Sequence, residues 1–178
     1  HGDQFGHLLV QNYDGRFSSV HSLATDILHK ISGKNNFVTD SGIKMDAMQI
    51  FLGLQVDPDF WKTQKLIRIR NNSLRDIIGI SGKHASFNDI DHPDLAVRIR
   101  NMAHNAFQKK ASEQTNFDKE IIKVVERMNI FVMTTKGRFL RLFPAESAFN
   151  NKWVSWKDSL ALTPFTGELL KINKGEVF

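Results

Sequence analysis

The chain has 178 residues, 41% of them hydrophobic, which suits one domain with a core of its own. It has no cysteine, so disulfides, thiolate nucleophiles, iron–sulfur clusters and cysteine-based zinc sites are excluded. A balance of 24 Lys and Arg against 19 Asp and Glu gives a net charge of +5, which favours anionic partners, although the cations are scattered and also read as an ordinary solvated surface.

Leu8-Leu9-Val10 reads as a short strand, and Asp14-Gly15 as a tight turn. Val20, Leu23, Ala24, Ile27, Leu28 and Ile31 then form one face of a helix that Ser18 or Ser19 caps and Gly33 ends. Residues 35–42 are expected to be a polar loop. A second helix carries Ala47, Ile50, Phe51 and Leu54, and Asp57-Pro58 starts a short turn of helix. The alternation in Leu66-Ile67-Arg68-Ile69-Arg70 predicts a half-buried strand. Ser73 is placed as the cap of a brief helix that Gly79 stops, and Ser86 opens another.

From Pro93 the pattern is strongly helical. Leu95, Ile99, Met102 and Ala106 make one stripe up to Lys110, whose neighbour Lys109 is expected at a solvated helix end. A longer helix runs from Asn116 to Lys136-Gly137, with Phe117, Ile121, Val124, Met128 and Phe131 on one stripe and Ile122, Val125 and Val132 on a second. Its wide apolar face predicts the central element of the fold. Phe139 to Phe143 reads as a strand closed by Pro144, and Leu66–Arg70 is a candidate partner for it. From Ala145 the chain is irregular, with Trp153, Trp156 and Phe165 as anchors and one last helical turn or short strand at Glu168–Ile172. The expected fold class is α+β, mainly α, with helices around a long central helix and a small β-sheet, in a single domain over 1–178.

Chemistry is sparse in this pattern. None of the seven histidines pairs at i, i+4; His21 and His29 are eight apart, about 12 Å along a helix. No nucleophile elbow, phosphate loop or dinucleotide fingerprint is present. Asp14, Asp26, Asp89 and Asp91 are available for acid–base work, but nothing orders them into a pair. Arg68, Arg70, Arg75, Arg98, Arg100, Lys109 and Lys110 could assemble a phosphate-binding face, making nucleic-acid binding the second class of reading. No helix-turn-helix, RRM, KH or zinc-finger signature accompanies them, and no nucleic-acid partner is expected.

The segment from Phe5 to Phe17, FGHLLVQNYDGRF, leads into the helix SLATDILHKI. It resembles the extracytoplasmic part of fused ResB/CcsA-type (system II) cytochrome c biogenesis membrane proteins, in their Bacteroidetes-like form. The likeness continues in Gln49–Leu54, Pro58–Trp61, Phe117–Val124 through Asn129, Phe143-Pro144 and Asn150–Trp153. Such proteins carry haem across the membrane and attach it to apocytochrome c. The chain lacks their tryptophan-rich haem segment, since Trp153-Val154-Ser155-Trp156 does not match it, and it has no apolar span. The resemblance therefore implies a non-catalytic extracytoplasmic or periplasmic domain, excised from a larger membrane protein, with no cofactor of its own. Haem is then handled by the parent protein, and the partners are the parent's membrane segments and apocytochrome c.

Within that frame, Gln11, Asp14, Gly15, Arg16 and His21 are the candidate partner- or ligand-binding residues. The functional reading gives the Arg16 fork to a carboxylate or haem propionate, with Gln11 and His21 beside it. The structural reading makes Asp14-Gly15 a turn that Arg16 ties down through a carboxylate such as Asp26. No metal-binding or catalytic residue is expected.

Overall fold

The computed structural model describes residues 2–12, 14–144 and 153–155. They fall into two compact units, one drawn from His1–Leu23 and Lys136–Phe178, the other from Ala24–Thr135. The chain opens with a short helix α1 (Gly2–Gly6), then an antiparallel hairpin of β1 (Leu9–Gln11) and β2 (Phe17–Ser19) with Val10 opposite Ser18. Gly15 turns it at φ +83°, where a side chain would be strained, and the Asn12 N–H closes the loop on the Arg16 carbonyl at 2.7 Å.

Helix α2 (Val20–Ser32) buries all six of its expected apolar residues. Ser19 Oγ accepts the Ser22 N–H at 3.2 Å at its start, and Gly33 ends it at φ +71°. The stretch expected as a polar loop is instead a hairpin of β3 (Asn36–Val38) and β4 (Lys44–Asp46). Its only buried strand residue is Phe37, whose ring lies 6.2 Å from that of Trp61, so no alternating pattern marks it in the sequence. Gly42 at φ +83° turns this hairpin, and Thr39 Oγ1 accepts the Ile43 N–H.

Asp46 and Gln49 form a reciprocal capping box for α3 (Ala47–Val56), and Asp57 caps α4 (Pro58–Thr63). The Trp61 indole packs close against Gly53 of α3, where a Cβ would collide with the indole nitrogen. Strand β5 is only Ile67–Arg68, and it pairs with β6 (His84–Ala85), not with the strand near Phe143. One more backbone bond follows, from the Ile69 N–H to the Lys83 carbonyl at 2.8 Å, and beyond it the Arg70 N–H is taken by Glu120 Oε1 at 2.8 Å. Between these strands lies α5 (Asn72–Ile78), capped by Asn71 two residues before the expected Ser73.

After the four-residue α6 (Phe87–Ile90), helices α7 (Pro93–Gln108) and α8 (Asn116–Thr135) pack together. The face α7 buries is Ala96, Ile99, Ala103 and Ala106, rotated slightly from the expected stripe, because small residues let the two helices approach. Helix α8 is the centre of its unit: α3, α5, α7 and β5 all contact it, and its Phe131 stacks on Phe87 at 5.0 Å. Last come β7 (Arg141–Pro144) and β8 (Trp153–Ser155), antiparallel with an irregularity between Arg141 and Phe143. Trp153 meets Phe17 edge-on at 5.0 Å. Trp156, Phe165 and Glu168–Ile172 lie outside the described residues. The fold is α+β, mainly α, as the sequence predicts.

Two polar clusters brace α8. Near its start, Lys109 Nζ holds both oxygens of Asp118 at 2.8 and 2.9 Å, while Thr115 and Asp118 cap each other reciprocally. Lys109 is therefore a structural partner, not the idle ammonium expected at a helix end. In mid-helix, Glu120 and Arg127 form a buried ion pair at 2.9 Å, and Arg127 Nη1 also donates to the Arg68 carbonyl at 2.7 Å. Both charges sit over β5, so the pair ties the strand backbone to the helix at two points.

These clusters yield two expectations. Glu120→Ala leaves the Arg127 charge buried and unpaired, and should lower stability by about 3–5 kcal/mol; an unchanged midpoint in urea unfolding would contradict this. Bonds from Lys109 and then Thr115 hold the Asp118 carboxyl down at about 2, below its usual 3.8. With the folded value depressed, its contribution is complete above about pH 4 and fades as pH falls through about 2. The difference in melting temperature between the unaltered chain and Asp118→Asn should therefore be largest near neutrality and shrink across that acid window.

Candidate functional site

The five residues singled out by sequence occupy the first hairpin and the helix that follows it. Gln11 is buried, and its Oε1 accepts the Trp153 N–H at 2.7 Å while its Nε2 donates to the Gly15 carbonyl at 3.4 Å. It fastens β1 to β8 across 142 residues. Asp14 Oδ1 accepts the Arg16 N–H at 3.3 Å, and Arg16 Nε pairs with Asp14 Oδ2 at 3.5 Å. Arg16 thus takes Asp14 in place of the expected Asp26, and its side chain remains 84% exposed. Gly15 has open space where a Cβ would stand. His21 is exposed in the first turn of α2. The structure therefore gathers Gln11, Asp14, Gly15 and Arg16 on one turn, with a guanidinium presented to solvent at its tip.

A second concentration of charge was only half legible in the sequence. In the Ala24–Thr135 unit, the end of α2, strand β5 and the middle of α8 enclose a cleft of about 610 Å³. Lys30, Arg68, Arg70, Lys123 and Arg127 line it, with Glu126 as the acid among the lining residues. Arg68 and Arg70 come from the alternating segment: Ile67 and Ile69 are fully buried, so the two arginines share the opposite face. Arg68 crosses so close to Gly33 that a Cβ there would lie 2.2 Å from its Nη1. Gly33 thus combines a left-handed backbone with the close passage of this side chain.

At the edge of this region, His84 pairs with Arg68 across β5 and β6, and its Nε2 donates to the Ser32 carbonyl at 2.9 Å. Burial lowers its pKa, the bond to Ser32 opposes this, and the cations Lys34, Arg68 and Arg127 lower it further. His84 therefore stays neutral near pH 7 and works as a donor to the end of α2. Among the described residues, no three His, Asp or Glu side chains come together as a metal-ligand set.

Sequence periodicity missed Lys30, Lys123 and the Glu120–Arg127 pair. One signal could have found the pair: Glu120, Val124, Arg127 and Phe131 repeat at four, three and four, so two opposite charges share the buried stripe.

No family model matches the chain. It is similar to Protein NrfI of Wolinella succinogenes, with 32% identity over 157 residues. The match covers 88% of this chain, which spans 17% of the length of that relative.

Both features of Gly33 can be tested directly. Gly33→Ala combines a positive φ with a collision, and should cost about 1–3 kcal/mol. Adding Arg68→Ala should remove the steric part and leave the backbone part, giving non-additive losses in a chemical-denaturation cycle. Strict additivity would show that the Arg68 side chain moves aside freely.

Proposed function

We propose that this chain is a non-catalytic extracytoplasmic domain of a larger membrane protein of cytochrome c biogenesis, of the fused ResB/CcsA type. The carrying observation is the resemblance that runs from the Phe5–Phe17 segment through most of the helical unit. The similarity to a relative of which the chain spans 17% is consistent with a domain within a longer protein. Among the described residues no helix is long and apolar enough to cross a membrane, so in this reading haem passes through other parts of the parent. The domain shapes the outer face of the site or receives apocytochrome c. A cysteine-free chain suits that place, because a free thiol beside an apocytochrome Cys-x-x-Cys-His motif would exchange with it.

In this reading the contact residue is Arg16, held out by the Asp14-Gly15 turn while Gln11 anchors the hairpin behind it. A bidentate guanidinium suits a carboxylate of apocytochrome or a haem propionate. The basic residues also speak against a nucleic-acid role, since Arg68 and Arg70 open on a cleft of small-molecule size instead of a long stripe.

In cells that depend on the full-length protein, Arg16→Ala should lower the yield of holocytochrome c, whereas Lys65→Ala, at an exposed position, should not. Protein abundance is measured alongside, because a destabilised hairpin would lower the yield through abundance alone. Normal holocytochrome with normally abundant Arg16→Ala protein would remove the turn from the functional account.

A further inference from the structure

The cations of the cleft between α2, β5 and α8 are not equivalent. Arg127 is neutralised by Glu120 at 2.9 Å. Arg68 lies against the last turn of α2, where the helix end carries roughly half a negative charge and offsets part of it. Lys30, Arg70 and Lys123 remain, and among the described residues none of them forms an ion pair. Glu126 cannot balance them alone.

Surface lysines and arginines are ordinarily just solvated. Here three observations argue for more. The cations surround a concavity of about 610 Å³, within the size range of small-molecule sites. Arg68 and Arg70 project from the same face of one strand segment, roughly 7 Å apart at the backbone. That strand is fixed from behind, since Glu120 takes the Arg70 N–H and Arg127 the Arg68 carbonyl, so the two guanidinium groups start from a rigid base. The His84 pKa, lowered first by burial, is lowered further by Lys34, Arg68 and Arg127, in agreement with a positive field at this place.

We propose that the cleft is a binding site for a small anion bearing at least two charged groups, phosphate or carboxylate, held by Arg70, Lys123 and Lys30 above Arg68. Three cations without ion-pair partners around one concavity suit two charges on one molecule better than a single monovalent ion. The site is independent of the biogenesis reading and of the Arg16 turn.

Isothermal titration of the chain at low salt, with inorganic pyrophosphate and separately with citrate, tests it. One saturable site is expected for at least one of them. The double change Arg70→Gln/Lys123→Gln should weaken it about tenfold or more. The double change Lys44→Gln/Lys65→Gln removes the same charge from exposed positions outside the cleft and should alter it less than about twofold. Urea midpoints establish that both variants fold; should the first not fold, Lys30→Gln/Lys123→Gln, at two exposed helix positions, replaces it with the same expectation. Co-sedimentation with phosphatidylcholine vesicles, with and without phosphatidylglycerol, separates the sources. Cleft-dependent capture by the anionic vesicles that pyrophosphate competes away identifies a lipid headgroup, and binding without capture identifies a free anion; both uphold the site. No saturable binding of either probe, or equal weakening in the two double variants, would overturn it. So would steeply salt-dependent binding of a single-stranded RNA that pyrophosphate does not displace.

Discussion

The larger unit depends on the ion pair between Glu120 and Arg127, buried in the middle of α8. Taking both charges out of water is costly, and the cost is offset because each partner also holds a backbone group. Glu120 receives the Arg70 N–H, and Arg127 donates to the Arg68 carbonyl. No buried side-chain nitrogen or oxygen among the described residues is left without a partner. The pair thereby replaces what a longer sheet would provide, holding a two-residue strand against the central helix. Apolar side chains could fill the same volume, but they could not choose which backbone atoms of β5 face α8. The orientation of Arg68 and Arg70 follows from that choice.

Much of the architecture was legible in the sequence because most of its punctuation is local. Gly33, Gly79 and Gly137 end helices in the left-handed conformation where the periodicity stops, and Asp57-Pro58 opens a helix as its chemistry requires. The β3–β4 hairpin was not legible, since three-residue strands with one buried side chain carry no period. The partner of Leu66–Arg70 was not legible either. Strand pairing is decided by distant residues, here by His84–Ala85 and by a carboxylate fifty positions along the chain. Lys109 failed for a related reason: its role depends on Asp118 beyond a polar break, which no helix-face argument connects to it.

The candidate residues divide along the same line. The turn at Asp14-Gly15-Arg16 is a local object, and the sequence describes it well apart from the carboxylate that Arg16 meets. The basic cleft is a tertiary object. Its arginines announce themselves by alternation, whereas Lys30 and Lys123 join them only because α2 and α8 converge on β5. Motif searching had nothing to find there, because the chemistry is charge held in a concavity and not a spacing of residues.

The division into two units has a consequence for how the chain is made. Ala24–Thr135 is continuous in sequence, so all its contacts become available once that stretch has been synthesised. The other unit is assembled from both ends: β1 draws on β7, and Gln11 waits for the backbone of Trp153. During vectorial synthesis the helical unit can condense first, while the leading hairpin stays incomplete until β7 and β8 emerge. Completing that hairpin requires closing a loop of over a hundred residues, and a folded intervening segment shortens the effective length of chain to be closed. The order of synthesis and the order of assembly are thus opposed for β1, which is made before the helical unit and finds its place after it.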